Sequence, residues 1–427
     1  MIQKIIYKIK GEFKSEFGKN FFTLFTGMGV SQIIPIVVTP ILTRLFTPAE
    51  FGLLALFTST SLFMSNIATM QYDSAIMLPE KEKEAINIMA LALISVITIT
   101  MLTLVIVVVF NIALCKLMGN TEIGFWLYFV PLLVLLEGIF RILNIWASRR
   151  KQFKRLALRN INQAVTTAGT KVVIGSLHTI NGGLIIGSLV GQFTATFVLF
   201  YQTIIKDKLS GSIITIKCIL YNAVKYKEFP IFANFQNLFD MFKETGTRYI
   251  ISNFYGTAIL GSYSFTLGLL QRPTQLIGGA ISQVYYQKAA NTYNAHGNLW
   301  GLTMKLMMRL TIFSFVIYLP ILLYGQEIFY FVFGNKWKTA GLYAQILTPW
   351  LVGTFILQVS SRIPQIVNKQ KVFFIIGTIF NIIFFLGVLI LSMLKFDFIY
   401  VLSCMTILTS VFYVYLLFWY KKITQIN

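Results

Sequence analysis

A chain of 427 residues that is 56% hydrophobic and only 12% charged, with a mean hydropathy of +0.73, is too apolar for a water-soluble domain. Its net charge of +21 would suit nucleic acid, but the charge sits in short gaps between apolar stretches, where anionic lipid headgroups attract it; no nucleic-acid partner is expected. Three cysteines (Cys115, Cys218, Cys404) without CxxC spacing speak against a disulfide framework or a zinc site.

In chain order, residues 1–19 come first. Ile2, Ile5, Ile6, Ile9, Phe13 and Phe17 recur at helical spacing with lysines between them, which predicts an amphipathic helix in the cytoplasmic membrane interface. Twelve apolar stretches follow, each about long enough to cross a bilayer as a helix: 20–43, 49–70, 85–113, 123–147, 156–178, 183–206, 229–252, 257–283, 302–324, 339–366, 372–394 and 398–420. The longest gap, 207–228, is basic and partly amphipathic (IITIKCILYNAVKYKEF) and reads as a cytoplasmic linker helix. It separates an N-lobe of six spans (20–206) from a C-lobe of six (229–427). GMG at 27–29 lacks the third glycine of a dinucleotide fingerprint, and there is no P-loop or nucleophile–base arrangement. Gly183, Gly187 and Gly191 form consecutive GxxxG spacings that predict close packing within the bundle. His178 and His296 have no second histidine at ligand spacing and read as ordinary loop residues.

Lysine and arginine crowd into alternate gaps. The N-terminus, 71–84, 148–159, 206–228, 285–305, 368–371 and the C-terminus hold about 24 of the 36; the opposite gaps hold about five. Cytoplasmic loops retain basic residues, so both termini are expected in the cytoplasm, in a bacterial inner membrane.

The halves also resemble one another. PAEFGLLALFTS from Pro48 answers TAILGSYSFTLG from Thr257. MGN at 118–120, then Pro131 and RRKQF, answers FGN at 333–335, then Pro349 and NKQKV. Two six-span repeats of one orientation predict an axis along the membrane normal, and a two-lobed carrier with a central cleft more naturally than a channel.

Charges within spans are costly unless they face one another or a cavity, roughly 2.5–3.5 kcal/mol each. Here they are mostly basic: Lys171, Arg248, Arg272 and Arg362, with Arg44 near the outer end of the first span. They predict a cationic cleft suited to an anionic amphiphile, since the guanidinium fork grips phosphate with paired hydrogen bonds. Arg141 and Lys243 read as charge-pairing residues, through Glu137–Arg141 and through Asp240 or Glu244 with Lys243 or Arg248 at helical spacing. Glu137, Asp240 and Glu244 are also the candidates for coupling to protons or sodium ions; no other cofactor is expected. Arg272-Pro273 and Arg362-x-Pro364 predict kinks beside a cavity.

TRLFTPAEFGLLALF (43–57), QYDSAIMLPEKEKEA (71–85), SYSFTLGLLQRPTQLIGGAISQVYYQKAA (262–290) and FGNKWKTAGLYAQILTPW (333–350) resemble bacterial polysaccharide flippases. These are the Wzx-type exporters of O-antigen or capsule repeat units, within the multidrug/oligosaccharidyl-lipid/polysaccharide (MOP) superfamily. The resemblance covers nearly the whole chain; Phe46, Ala49 and Asp73 are mild departures from the usual RLYTPEDFG and YE-x-AIxLP. It implies an all-α integral membrane protein of about twelve transmembrane helices in two six-helix lobes, a MATE-like architecture. It also implies transport rather than enzymatic activity. The implied substrate is undecaprenyl-pyrophosphate-linked oligosaccharide, moved from the inner to the outer leaflet by alternating access. Membrane lipids and the polymerase and chain-length proteins of the same pathway are the other implied partners. A MATE-type multidrug or cation antiporter is the first alternative, disfavoured because basic residues outnumber acids in the spans. A membrane polymerase or ligase is a distant one, since no large outer loop is present.

Overall fold

The computed structural model describes residues 16–177, 181–206, 214–230, 234–295 and 297–425. Most of the expected N-terminal interfacial helix, His178, His296 and residues 207–213 of the linker lie outside the described residues. The described elements are helices. Those of the first half are α1 (Glu16–Leu45), α2 (Pro48–Ala68), α3 (Tyr72–Ala75), α4 (Glu82–Met118), α5 (Ile123–Leu127), α6 (Val130–Arg149), α7 (Phe153–Leu177) and α8 (Gly183–Phe200). A short π-helix (Tyr201–Lys206) extends α8, and α9 (Ile216–Lys225) precedes α10 (Asn234–Tyr255) and α11 (Thr257–Leu270). A second π-helix (Thr274–Gly278) leads into α12 (Gly279–Asn294), followed by α13 (Leu299–Phe333) and α14 (Lys338–Leu357). After a 3-10 turn (Ser360–Arg362) come α15 (Ile363–Ile366), α16 (Gln370–Met393) and α17 (Phe398–Thr424).

Among the described residues, eight helical segments are long and apolar enough to cross a bilayer, and Gly29–Leu45 is a shorter apolar one. The chain is a multi-pass integral membrane protein. The other expected spans fall short for visible reasons. Helix α7 carries Lys154, Arg155, Arg159 and Lys171, and α10 carries Asp240, Lys243, Glu244 and Arg248. The expected span 257–283 is not one helix, because α11 stops at Leu270.

Helix starts follow ordinary capping chemistry. At α2 the Thr47 backbone N–H and hydroxyl donate to Glu50 Oε2 (2.8 and 2.9 Å), with Pro48 as first helical residue, which makes the TPAE of the first family-like block a capping box. Thr215, Asn298 and Asp397 accept backbone N–H bonds at the starts of α9, α13 and α17. Buried hydroxyls such as Ser61, Ser95 and Thr103 donate to the carbonyl one turn back, which satisfies them without water.

The chain divides into two compact units. Unit 1 comprises Met1–Leu45, Leu56–Lys116 and Thr121–Met241; unit 2 comprises Phe46–Ala55, Leu117–Asn120 and Phe242–Asn427.

In unit 1, α1 packs along α7 and α7 along α8, while α6 also lies against α8. Small residues permit this. A Cβ on Gly27 would come within 2.4 Å of Ala157 Cβ, one on Gly187 within 2.4 Å of Lys171 Cγ, and one on Gly191 within 1.8 Å of Thr167 Oγ1. The GxxxG row of α8 therefore packs inside the bundle. Leu143, Ala147, Leu156 and Leu199 form a core between α6, α7 and α8. Three gaps expected on the basic side converge at one end: Arg150 pairs with Glu82, Lys225 with Glu84 (2.5 Å), and Asn87 accepts from the Thr215 N–H.

In unit 2, α13 and α14 form an antiparallel hairpin through the 3-10 turn Asn335–Trp337, and α14 also packs on α11 and α17. Phe51, Phe265, Phe333 and Trp337 interlock, with Phe265 and Trp337 centroids 4.4 Å apart and Phe51 and Trp337 4.9 Å apart. The start of α2 crosses α11 backbone to backbone. A Cβ on Gly52 would meet the Thr257 carbonyl oxygen at 1.9 Å, and one on Gly261 the Pro48 carbonyl oxygen at 1.7 Å. In the repeat alignment Gly52 corresponds to Gly261 and Pro48 to Thr257, so the contact is reciprocal.

Candidate functional site

Two interruptions in unit 2 build the candidate site. The first follows α11. Pro273 has no N–H to give the helix, and the backbone passes Gln271 and Arg272 into a π-helix before α12 resumes. The second follows α14, where the helix yields to the 3-10 turn bearing Arg362, and Pro364 opens α15. The two breaks lie against each other: α12 packs on α15, and a Cβ on Gly278 would sit 2.0 Å from Gln358 Oε1. Irregular backbone at membrane depth is tolerated where protein or an aqueous cavity receives its polar groups. The expectation of proline-associated kinks at Arg272 and Arg362 is met.

Around the first break the hydroxyls are fully used. Tyr318 donates to the Leu270 carbonyl freed by the break (3.0 Å) and lies 3.3 Å from the Thr274 hydroxyl. The cation is not used in the same way. Arg272 Nη1 is buried and finds no hydrogen-bond partner among the described residues, and neither does Gln358 Oε1. A guanidinium N–H held out of water without an acceptor is costly, and an anionic oxygen would satisfy it. Arg362 is exposed and donates to Gln365 Oε1 at 3.3 Å.

The other residues singled out from sequence divide between the units. In unit 2, Arg248 bonds Glu244 at 2.6 Å along α10, and Lys243 lies over the Phe384 and Phe380 rings at 5.5 and 5.8 Å. In unit 1, Asp240 is exposed, Arg44 is exposed at the end of α1, and Lys171 is half-buried with its stem across Gly187.

Arg141 departs from the expected pairing. Its Nε reaches Asp73 Oδ2 at 3.4 Å, and its Nη1 donates to Asn66 Oδ1 (3.2 Å) and the Ser65 carbonyl (3.4 Å). Thr69 donates to the other oxygen of Asp73 at 2.7 Å. Glu137 makes no ion pair among the described residues, although Arg141 and Arg159 both act on it electrostatically. The reason is geometric: the left-handed backbone at Met70 and Gln71 (φ 47° and 60°) turns Asp73 inward, and a buried carboxylate with a second donor outcompetes an i,i+4 partner.

Some polar residues were missed from sequence. Arg159 counts with the basic gap 148–159, yet it is 6% exposed, lies over the Phe140 ring at 4.2 Å and donates to Asn144. Arg149 also looks like a loop cation, but its guanidinium binds the Ile76 and Pro79 carbonyls and so holds the second family-like block in place. Gln163 and Gln192 bond each other at 2.6 Å inside unit 1. A short basic cluster flanking a helix start gives no sign of which member turns inward.

Comparison with known proteins bears on this geometry. The profile of a family described as "Polysaccharide biosynthesis protein" matches residues 41–342. No curated protein matches the chain. Among solved structures, the lipid II flippase MurJ in an inward closed conformation aligns with a TM-score of 0.72 and 14% identity, covering 93% of this chain and 89% of that one. An inward-facing multidrug resistance MATE family transporter of the MOP superfamily aligns with a TM-score of 0.62 and 11% identity over 94% of both chains. A MOP superfamily transporter from Pyrococcus furiosus, described as having a binding pocket of reverse polarity, aligns at 0.52 and 13% identity over 95% of both. These likenesses establish a MATE/MurJ-like transporter fold.

Proposed function

The chain belongs to the polysaccharide biosynthesis protein family, and from that premise we propose that it flips a lipid-linked oligosaccharide across the bacterial inner membrane. The substrate is undecaprenyl-pyrophosphate-linked O-antigen or capsule repeat unit, carried from the inner to the outer leaflet by alternating access. The observation that carries the proposal is Arg272. A transporter of this family that buries a guanidinium N–H without an acceptor among the described residues, at a broken helix, holds a donor that an anionic oxygen would satisfy. Pyrophosphate supplies that oxygen, while the polyprenyl tail stays in lipid. Within unit 2, Arg362 supplies further positive charge, while the charge of Arg248 is offset by Glu244.

The electrical sign supports the direction. Two negative charges leaving a negative interior release about 4–5 kcal/mol at 100 mV, from about 2.3 kcal/mol per charge. Returning the empty cationic site moves positive charge toward the negative interior and is favoured by the same potential; protons or sodium ions taken up by Glu137, Asp240 or Glu244 and carried inward add a further driving force. No enzymatic step is required. Both termini lie in the cytoplasm, following the lysine and arginine bias, and the polymerase and chain-length proteins of the pathway receive the product.

Deletion of the gene tests this reading. The undecaprenyl-linked repeat should accumulate at the inner leaflet while polymerised glycan disappears from the surface. Unchanged glycan with heightened sensitivity to cationic dyes would indicate a drug exporter instead. Single repeat units reaching the outer leaflet without being lengthened would indicate a polymerase.

A further inference from the structure

A second site lies at the opposite kind of place in unit 2, where three gaps of the weakly basic side meet. The Asn253 side-chain amide donates to the Leu117 carbonyl (3.0 Å), and the Tyr255 hydroxyl donates to the Phe396 carbonyl (3.0 Å). These bonds bring the 117–120, 253–257 and 395–398 segments to one end of the unit. Between the last two lies a cavity of about 540 Å³, within the roughly 300–1,000 Å³ typical of small-molecule sites.

The lining has two chemistries. The aromatic part is Phe254, Tyr255, Tyr343, Phe396 and Phe398. Phe398 is buried and packs on Tyr343 and Tyr255 at 5.1 and 5.2 Å, so it forms a floor. Phe254 and Phe396 are 43% and 42% exposed and keep ring surface available. The polar part is Asn253, Asp397, Lys395 and Ser392. Asp397 uses Oδ1 to cap α17 through the Ile399 N–H (2.8 Å). Ser392 lines the cavity and is 1% exposed; its buried hydroxyl has no hydrogen-bond partner among the described residues. The loop is shaped for this arrangement: Lys395 adopts φ 58°, and its N–H returns to the Ser392 carbonyl (3.0 Å).

We propose that this cavity is a docking site for a neutral, hydroxyl-rich pyranose ring of the transported glycan on its exit side; the inference rests on the flippase reading and extends it to the sugar. A pyranose presents polarised C–H groups on its faces and hydroxyls at its edges. Aromatic rings carry a negative face that attracts such C–H groups. A carboxylate and a side-chain amide accept from vicinal hydroxyls, and a lysine ammonium donates to them. Other ligands fit less well. A pyrophosphate would meet one lysine with a carboxylate two residues away, and a cation would meet one carboxylate with that same lysine. Aromatic residues gather at membrane interfaces in any case, but that tendency does not account for a carboxylate, a lysine and a side-chain amide around a cavity floored by a buried ring.

The probe is the free oligosaccharide released by mild acid from the polyprenyl-linked pool of the native strain. Full-length protein in lipid nanodiscs is titrated with it and followed by saturation-transfer NMR. Wild type should bind. Phe396→Leu and Asp397→Ser, the latter retaining an N-cap oxygen, should weaken binding at least tenfold. Phe331→Leu removes a ring that is 84% exposed outside the cavity and should leave binding unchanged. Equal losses in Phe331→Leu and Phe396→Leu would reduce the site to an interfacial aromatic belt and overturn the proposal. Absence of binding to wild type would overturn it as well, even where deletion still makes the lipid-linked repeat accumulate. Failure of the flippase reading shows separately, as a deletion strain without that accumulation.

Discussion

Arg141 in unit 1 and Arg272 in unit 2 both lie in segments expected from sequence to cross the membrane, and the structure treats them in opposite ways. Arg141 closes a local network: Asp73 with its charge, Asn66 and Ser65 with neutral oxygens, and Thr69 behind the carboxylate. Arg272 stands at a break where the Tyr318 and Thr274 hydroxyls are engaged, and its own Nη1 is buried without an acceptor among the described residues. The first cation serves the fold. The second is buried at some cost to the fold, and the proposed function gives that cost a reason, an anionic ligand. Counting charges in apolar stretches does not separate the two; counting their acceptors does.

The largest expected effect comes from removing the Arg141 partner. The side chain of Asp73 is 5% exposed and that of Arg141 28%. Removing one member of a buried pair leaves the other uncompensated, which costs about 3–5 kcal/mol; partial exposure of Arg141 places the loss near the lower figure. Asp73→Ala should therefore lower the melting temperature of the purified protein strongly and reduce its abundance in membranes. Asp73→Ala/Arg141→Met should recover much of the loss. If the single variant melts like wild type, the network is not structural and the contrast with Arg272 collapses.

Arg272→Met should move stability the other way. Replacing a half-buried, unsatisfied guanidinium by an apolar side chain of similar length is expected to be neutral or to add about 1 kcal/mol, while export of glycan is abolished. Arg272→Lys should restore export only in part, because a point charge cannot reproduce the paired bonds of the fork. Melting temperature and surface glycan, measured on the same strains, check both claims. A Met variant that loses stability and export together would make Arg272 a structural residue like Arg141.

Much of this was legible in the sequence, for reasons tied to particular residues. Pro273 and Pro364 announce the two breaks because proline lacks the N–H a helix needs. Gly52 and Gly261 fall at matching positions of two similar segments, and the structure brings those segments together by their backbones. The partner of Arg141 was not legible. Asp73 sits in a polar gap, and only the left-handed turn at Met70 and Gln71 carries it inward. Arg159 was hidden by company, since composition alone does not distinguish it from the five other basic residues in 148–159. The bend at Phe110 within α4 has no proline or glycine beside it to give it away.

The smallest expected effect belongs to a third arginine, which shows how burial scales the comparison. Arg150 bonds Glu82 across the gap that also holds the Arg149 contacts, but the side chains are 33% and 57% exposed. An ion pair this open to water gains little, because solvent and salt screen it and two long side chains lose freedom in forming it; about 0.2–1 kcal/mol is the usual worth. Glu82→Gln keeps a hydrogen-bond acceptor and removes only the charge. It should lower the melting temperature slightly at low ionic strength and not at all in molar salt, where the Debye length falls to about 3 Å. Export should be unaffected. Arg149, one residue away, binds backbone carbonyls that cannot be screened in the same way, so Arg149→Ala should destabilise the 76–80 segment at any salt concentration. If Glu82→Gln proved as damaging as Asp73→Ala, degree of burial would not be what separates these arginines, and the distinction drawn between Arg141 and Arg272 would need another basis.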